Sequence, residues 1–478
     1  MDKEKLIAQL KKIVGDDCVS AEENVILECS KDYIGFRQFE RGAGKYFVPR
    51  AACVVSPKNA DEVGKVLSFL NKNAVDVVPR TGSSSVTLGV EPREGGVILD
   101  GSKLNGVIEL NETDMWVTVG AGTPLEYLEG YLNKRGYTTG HFPQSLPMAH
   151  VGGLLATRSI GQFSTLYGGI EDLTVGLEAV TADGEIIKIK NSPRRSVGPD
   201  LRQIFIGSEG TLGFITQATL KIFGYSPETR WMNAYAVKGM KNGLKALREI
   251  MVRGYRPAVV RLHDPIEMER DLGNAAPEGY CILILLAEGP KAVTESIGCG
   301  IDAVLKEFDA LDLGKKPVER WLEHRNDVCA TLDEHKYYRL GAVVDTCEIS
   351  APWSKIGDIY EAVLERMPRE VESLVSIAGH SSHSYMQGTN IYFTFGAMAD
   401  KDKPEEVRGV YMNIIRVIME ETLARGGSIA HHHGSGKYRT RWMPQEHGSS
   451  YEIMRKLKRA LDPNGIFNKG VLFGDETD

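Results

Sequence analysis

The sequence predicts an α+β protein in which a two-part first domain is followed by a second α+β unit and a helical C-terminal segment. Three observations predict it. The chain has 478 residues, more than one compact core holds and about right for two or three domains. Its opening runs strand, helix, strand and small-residue turn, and then breaks into short β-branched segments. From about Trp231 the pattern changes to longer helices alternating with strands. The expected division is a helical lead-in over residues 1–46, a first domain over 47–226, a second over 227–425 and a C-terminal segment over 426–478.

Each element follows from its local pattern. Residues 2–33 read as helical lead-in. Residues 54–57 form a short buried strand, and 61–71 a helix with Val63, Val66, Leu67 and Leu70 on its apolar side. Residues 75–79 are a strand that runs straight into a polar loop. Hairpin-like pieces are expected over 96–100, 106–110 and 115–120, and a helix over 124–136. Residues 173–181 and 185–190 should pair across the turn Ala182-Asp183-Gly184. Beyond Trp231, helices are expected over 239–253 and 291–308, with strands over 258–262 and 281–286. A helix over 352–366 opens with Pro352, where a missing N–H costs little. Strands over 371–378 and 390–395 precede a long amphipathic helix over 405–425. The tail helix over 451–461 stops at Asp462-Pro463-Asn464-Gly465.

Composition narrows the function. Hydrophobic residues make up 42 % and charged residues 25 %, an ordinary globular balance. A formal charge of −7 gives no support to nucleic acid or an acidic membrane surface as the main partner. A local basic patch around Arg439 and Arg441 would still suit a phosphate or a membrane surface. The seven cysteines are scattered with no CxxC pair, which reads as reduced thiols and not as a disulfide framework or zinc site. The N-terminal run MDKEKLIAQLKKIVGDD is an amphipathic helix with charges throughout, not a signal peptide. No apolar stretch approaches the ~20 residues of a membrane span. The expected location is the cytoplasm.

A dinucleotide cofactor needs backbone N–H groups and small side chains close to its pyrophosphate. Four segments of the first half could supply them: Pro79-Arg80-Thr81-Gly82-Ser83-Ser84-Ser85; residues 144–151 with Gly152 and Gly153; Thr157-Arg158-Ser159; and residues 207–213. Any one alone would more often be a plain turn. Four in one α+β half reverse that weighting. No strand–GxGxxG–helix unit is present for a Rossmann site. Gly436-Lys437-Tyr438 fails the P-loop pattern, because Tyr replaces Ser/Thr and His431 stands where the first Gly should be.

These segments carry a resemblance. The runs DVVPRTGSSSVTLG, GYTTGHFPQSL, HVGGLLATRSIG, YGGIEDL and IGSEGTLGFIT are similar to the FAD-binding domain of the vanillyl-alcohol oxidase type, also called PCMH-type. Within that superfamily PAVVRLHD, CEISAPW, GTNIYFTF and GGSIAHHHGSGKYRTRW resemble the alkyldihydroxyacetonephosphate synthases of the FAD-linked oxidase C-terminal group. The resemblance implies FAD as cofactor, a PCMH-type domain over 47–226, a substrate or cap domain over 227–425 and an active-site and flavin-contacting segment over 426–478. It puts FAD phosphates against Pro79–Ser85. Further cofactor contacts are implied at Gln144, Ser145, Leu146, His150, Gly152 and Gly153, at Thr157, Arg158, Ser159 and Ile160, and at Glu209, Gly210, Thr211, Leu212, Gly213 and Ile215. The family loop usually carries three consecutive glycines, of which Thr81-Gly82-Ser83 keeps the middle one. His150 is a candidate anchor for covalent flavin.

The run His431-His432-His433 is the most unusual local feature of the sequence. A solvated histidine loop and a metal site are the simpler explanations, but three consecutive ligands do not converge on one ion unaided. In the related FAD-linked 2-hydroxy acid dehydrogenases, the metal ligands fall on a Gly-Glu-His-Gly run and on an upstream histidine segment. Aligned here, Tyr385 and Tyr392 take the places of two histidines and His432 that of the glutamate. Tyrosine is a poor ligand for zinc or manganese, so no metal is expected. By the resemblance Tyr392 is the acid/base, His431–His433 are required for activity, and Arg261 lies beside the flavin. Taken alone, Tyr392 would be a half-buried strand tyrosine and Arg261 a surface ion-pair partner. The family's phosphate arginine sits in an Arg-Asp pair that is missing here, so Arg339 is expected to replace it as the substrate residue. His380 and His383 read as ordinary loop histidines.

The implied activity is exchange of the acyl chain of an acyl-dihydroxyacetone phosphate for a long-chain alcohol through a flavin N5 adduct, in ether lipid synthesis. The alternative is a FAD-dependent hydroxy-acid oxidase or dehydrogenase. The expected partners are a small-molecule or lipid-like substrate, a membrane touched peripherally to reach it, and a second copy in a homodimer, with no nucleic acid.

Overall fold

The computed structural model describes residues 1–273 and 275–474, so the last four residues of the expected C-terminal segment lie outside it. The first half holds a four-stranded sheet in the order Val19–Ser20, Cys53–Val55, Val97–Asp100, Val77–Arg80. The last three strands are parallel. The helix Ala60–Lys72 provides the crossover that parallel neighbours require. It starts where the Asn59 side chain accepts from the Glu62 N–H. Its buried Val63, Val66, Leu67 and Leu70 pack with Leu6, Leu10 and Val14 of the helix Lys3–Val14.

Two expectations are corrected here. Residues 97–100 are not a hairpin arm but a strand inside the parallel sheet, with a parallel neighbour on each side. A short β-branched run bounded by glycine looks alike in either setting, and the crossover helix decides its partners. The lead-in is also more than helix. Val19–Ser20 pairs with Val54 and Val55, and the helix Gly35–Gly42 sends Phe36 and Phe39 into the core of the second half.

The second sheet of this half is antiparallel, in the order Val107–Asn111, Trp116–Gly120, Phe214–Lys221, Thr174–Val180, Ile186–Ile189. The last two strands form the hairpin expected across residues 182–184. That turn also docks the crossover helix. A Cβ on Gly64 would lie 2.7 Å from the Gly184 carbonyl oxygen, and Gly184 itself has φ +92°.

The second half is a seven-stranded antiparallel sheet in the order Leu311–Gly314, Trp231–Lys238, Tyr280–Ala287, Val259–His263, Leu374–Ser381, Gly388–Met398, Ala342–Pro352. Helices Met240–Val252, Lys291–Lys306, Trp353–Glu370 and Val407–Ala424 cover one face. Strand alternation then sorts the side chains. Ile391, Phe393 and Phe395 enter that core, while Tyr392 and Thr394 face a cavity. The strand Ala342–Pro352 has no forerunner in the sequence reading, because Asp345, Thr346, Glu348 and Ser350 interrupt its apolar run. After the helix Tyr451–Leu461 the Asp462 carboxylate accepts from the N–H groups of Ile466 and Phe467. Those two side chains return to the core of the first sheet. The fold is α+β, and none of the described helices is long and apolar enough to cross a membrane.

Candidate active site

A cavity of about 1020 Å³ lies between the two halves. Its first-half wall holds Pro79 to Ser85, Gln144, Ser145, His150, Gly152, Gly153, Thr157, Ser159, Ile160, Glu209, Gly210, Gly213 and Ile215. Its second-half wall holds Arg261, Tyr392, His432 and His433. Four of the residues expected at the cofactor stand elsewhere. Leu146 packs in an apolar cluster, and Arg158 turns outward to Glu171 at 3.2 Å. Thr211 is fully buried, with its hydroxyl on the Ser208 carbonyl, and Leu212 is buried beside it.

The cofactor wall has the features a dinucleotide requires. Ser83, Arg158 and Glu209 adopt left-handed backbone, as do Gly207 and Gly210. Such turns direct successive N–H groups into a concave anion site. Ser83 Oγ, Arg80 Nε and His150 Nδ1 are buried with no partner among the described residues, and buried polar atoms in that condition are uncommon without a ligand. Gly82 has no room for a side chain: a Cβ there would lie 2.5 Å from the Met148 oxygen and 2.7 Å from the His150 nitrogen. That close approach explains why the middle glycine of the loop is the one retained. Glu209 does something other than contact the cofactor with its carboxylate. It accepts 2.8 Å hydrogen bonds from the N–H groups of Ser435 and Gly436, tying the first half to the histidine loop. Burial pushes its carboxyl up to about 7.

Opposite this wall the Tyr392 hydroxyl lies 2.6 Å from His432 Nε2 and 3.0 Å from His433 Nε2. His433 Nδ1 stands 2.9 Å from the Glu348 carboxylate. Glu348 and Arg439 are both fully buried and pair at 2.6 Å. Burial alone would raise the Glu348 carboxyl, but Arg439, with His433, more than offsets it and holds the group well below its usual range. The backbone N–H groups of His432 and His433 also donate to Glu348. One buried ion pair thereby fixes the loop that presents the imidazoles. Burial, and then Glu348, push the Tyr392 phenol well above its ordinary value. Burial, and then the neighbouring imidazoles, keep His432 well below its own.

His431 stands behind His432, outside the cavity lining, with Nε2 on the Tyr385 hydroxyl at 2.7 Å and Nδ1 on His432 Nδ1 at 2.7 Å. His380 and His383 are not loop histidines of the ordinary kind. His380 lies on a strand directly opposite Tyr392 and stacks on its ring at 4.8 Å. His383 is buried, stacks on His431 and bonds to Ser164 Oγ. Both face the cavity because strand alternation and the following turn point them there, which spacing alone did not reveal. Among the described residues, the ring nitrogens of His383, His431 and His432 lie within 4.8 Å of one another, and a second such group joins His263, Glu267 and His380. Both ring nitrogens of His431 and of His432 are already engaged in the bonds above.

Arg339 is exposed and lies outside the cavity lining. Arg261 and Arg325 line it instead, with guanidiniums 5.3 Å and 5.9 Å from the Trp321 ring centre. Arg325 bonds to the Gln162 side chain and Arg261 to His263. Burial, and then Arg230, lower Arg325 to about 10. Burial also lowers Arg261. Guanidiniums in this condition attract an anion. Arg439, expected in a basic patch open to a phosphate or membrane surface, is instead fully buried on Glu348, and Arg325, Trp321 and Glu348 were not legible as site residues, since their facing depends on how distant elements pack.

Family comparison agrees with the geometry. Residues 51–190 match a family model described as an FAD binding domain. Residues 226–472 match one described as the C-terminal domain of FAD linked oxidases. The chain is 43 % identical, over 98 % of both chains, to YgcU of Escherichia coli O157:H7, an uncharacterised FAD-linked oxidoreductase. It is 30 % identical to the alkyldihydroxyacetonephosphate synthase of Caenorhabditis elegans, covering 87 % of this chain and 74 % of that one. A solved alkyldihydroxyacetonephosphate synthase structure superposes with a TM-score of 0.82 at 22 % identity, over 98 % of this chain and 86 % of the other.

Proposed function

The chain belongs to the FAD-linked oxidases and has FAD as its cofactor, and from that premise we propose a synthase-type reaction. An acyl-dihydroxyacetone phosphate would exchange its acyl chain for a long-chain alcohol, as in ether lipid synthesis. The observation that carries this reading is the Tyr392 hydroxyl held between two imidazoles on the wall facing the cofactor cradle. FAD, when bound, supplies a two-electron acceptor in the cavity.

The chain's own residues do the rest. Tyr392 takes the proton from the substrate carbon, and His433 takes the Tyr392 proton as Glu348 stabilises the imidazolium that forms. Arg261 and Arg325 hold the phosphate head beside Trp321, the role first expected of Arg339. The cradle of Pro79 to Ser85 holds the cofactor phosphates through backbone N–H and hydroxyl groups. Val328 and Tyr337, exposed on the segment rimming the cavity, would meet a membrane surface from which a lipid substrate is drawn. All seven cysteines are free, which suits the cytoplasm. A homodimer is the assembly we assign.

The exposure of Arg339 favours one second reading. The same arginine pair would accept a carboxylate, which suits a FAD-dependent oxidase or dehydrogenase of hydroxy acids. Anaerobic mixing of the holoprotein with each substrate, followed by flavin absorbance, separates the two. Bleaching by the acylated phosphate that a long-chain alcohol reverses supports the exchange reaction. Lasting bleaching by a hydroxy acid moves the assignment to the second reading, and no bleaching by either class overturns both.

A further inference from the structure

We propose that Tyr392 is the junction of one directional hydrogen-bond wire. It enters at the Tyr385 hydroxyl, passes through His431 and His432, and ends beyond His433 on the Glu348 carboxylate. The wire thus joins the catalytic hydroxyl, which faces the cavity, to a tyrosine that lies behind it. Only the use to which Tyr392 puts the wire rests on the reading above; the wire itself rests on four hydrogen bonds and on the 2.9 Å contact of His433 with Glu348.

The polarity follows from one fixed end. Glu348 receives Arg439 and two backbone N–H groups, so it can only accept. His433 Nδ1 lies 2.9 Å from that carboxylate, a charge contact outside hydrogen-bond geometry, and it carries the hydrogen because a bare lone pair there would oppose the carboxylate. In the neutral ring His433 Nε2 is an acceptor, and the Tyr392 O–H points to it at 3.0 Å. The Tyr392 oxygen in turn accepts from His432 Nε2–H at 2.6 Å. His432 Nδ1 is left as acceptor for His431 Nδ1–H at 2.7 Å, and His431 Nε2 for the Tyr385 O–H at 2.7 Å. Every group has one consistent assignment, and reversing any one of them breaks the series.

The ends face different surroundings. Tyr392, His432 and His433 line the cavity, whereas His431 and Tyr385 do not. Tyr385 is half-buried and is followed by the exposed Met386 and Gln387. His383, stacked on His431 and held by Ser164, keeps that ring in plane.

The arrangement makes Tyr392 a base in the resting state. Its own hydrogen is committed to His433, which leaves an oxygen lone pair for the substrate. In the transfer the substrate C–H and the old Tyr392 O–H bonds break, and a new O–H and a His433 Nε2–H bond form. The electron pair of the C–H bond stays with the substrate, and the proton rests on imidazolium against Glu348. Tyr385, His431, Glu348 and Arg439 are positioning residues in this scheme.

Long-range ¹⁵N NMR of the histidine-labelled holoprotein tests the wire without any substrate. Hydrogen is expected on Nδ1 of His433, Nε2 of His432 and Nδ1 of His431. Finding it on Nε2 of His433 or of His431 overturns the proposal. Tyr385→Phe is the second test. It should mix the His431 tautomers and lower kcat ~10-fold, with KM and FAD content unchanged. A Tyr385→Phe protein with unchanged tautomers and unchanged kcat also overturns it. Because the tautomers are read without turnover, a wrong substrate assignment would leave the NMR result standing.

Discussion

Glu348 and Tyr392 lie directly opposite each other on neighbouring antiparallel strands, and His433 from a distant loop bridges them. Carboxylate, imidazole and phenol are thus ordered by strand register plus one loop. Tyr392→Phe removes a hydroxyl and leaves the ring stacked on His380. Turnover should fall ~10²-fold or more with FAD retained, which single-turnover kinetics and the flavin spectrum check. Ser164→Ala is unsuitable as a neutral control because Ser164 bonds to His383. Tyr127→Phe, on an exposed residue of the helix Leu125–Asn133, is the appropriate control and should change nothing.

Arg439→Met tests the buried ion pair. It would leave the Glu348 carboxylate without its arginine partner in a fully buried site. A loss of about 3–5 kcal/mol is expected in chemical denaturation. Activity should disappear faster than fold as denaturant rises, because the pair holds the histidine loop.

Gly82→Ala tests the cradle. The added Cβ meets backbone of the Met148–His150 segment on one side, so that segment must move. The purified variant should carry markedly less FAD by absorbance and lose about 1–3 kcal/mol of stability.

Glu209→Gln tests the clamp between the halves and gives a pH signature. The folded carboxyl is raised to about 7. Stability from the neutral form is therefore fully present below the ordinary value near 4.5 and lost as pH rises through about 7. Wild type relative to Glu209→Gln should lose stability between pH 5 and pH 8, on the order of 3 kcal/mol. Paired thermal melts at the two pH values measure it, and a flat difference would refute the assignment.

Metal analysis provides the last check. Both ring nitrogens of His431 and of His432 are engaged with tyrosine hydroxyls and with each other. Elemental analysis should find no stoichiometric zinc or manganese, and chelators should leave turnover intact. One ion per chain would move the protein towards metal-assisted hydroxy-acid chemistry.

The sequence by itself determined the α+β class, FAD as the cofactor and the presence of a tyrosine with a histidine run. Those signals are local: a glycine among small residues after a strand, a tyrosine in a β-branched run, three imidazoles in a row. Helices such as Ala60–Lys72 and Tyr451–Leu461 were legible because a 3.6-residue apolar period and a stop signal sit within one segment. Tertiary structure alone decided which side chains share the cavity. Glu348 lies on a strand whose polar face hid it from pattern reading, and His380 gained its place only by standing opposite Tyr392. Arg339 was expected inside and stands outside, while Arg325, which had no role in the sequence analysis, lines the cavity. Local patterning sets what an element is. Which of its faces meets the site depends on strand pairing and on long-range buried contacts such as Glu348–Arg439, and these form only when distant segments fold against each other.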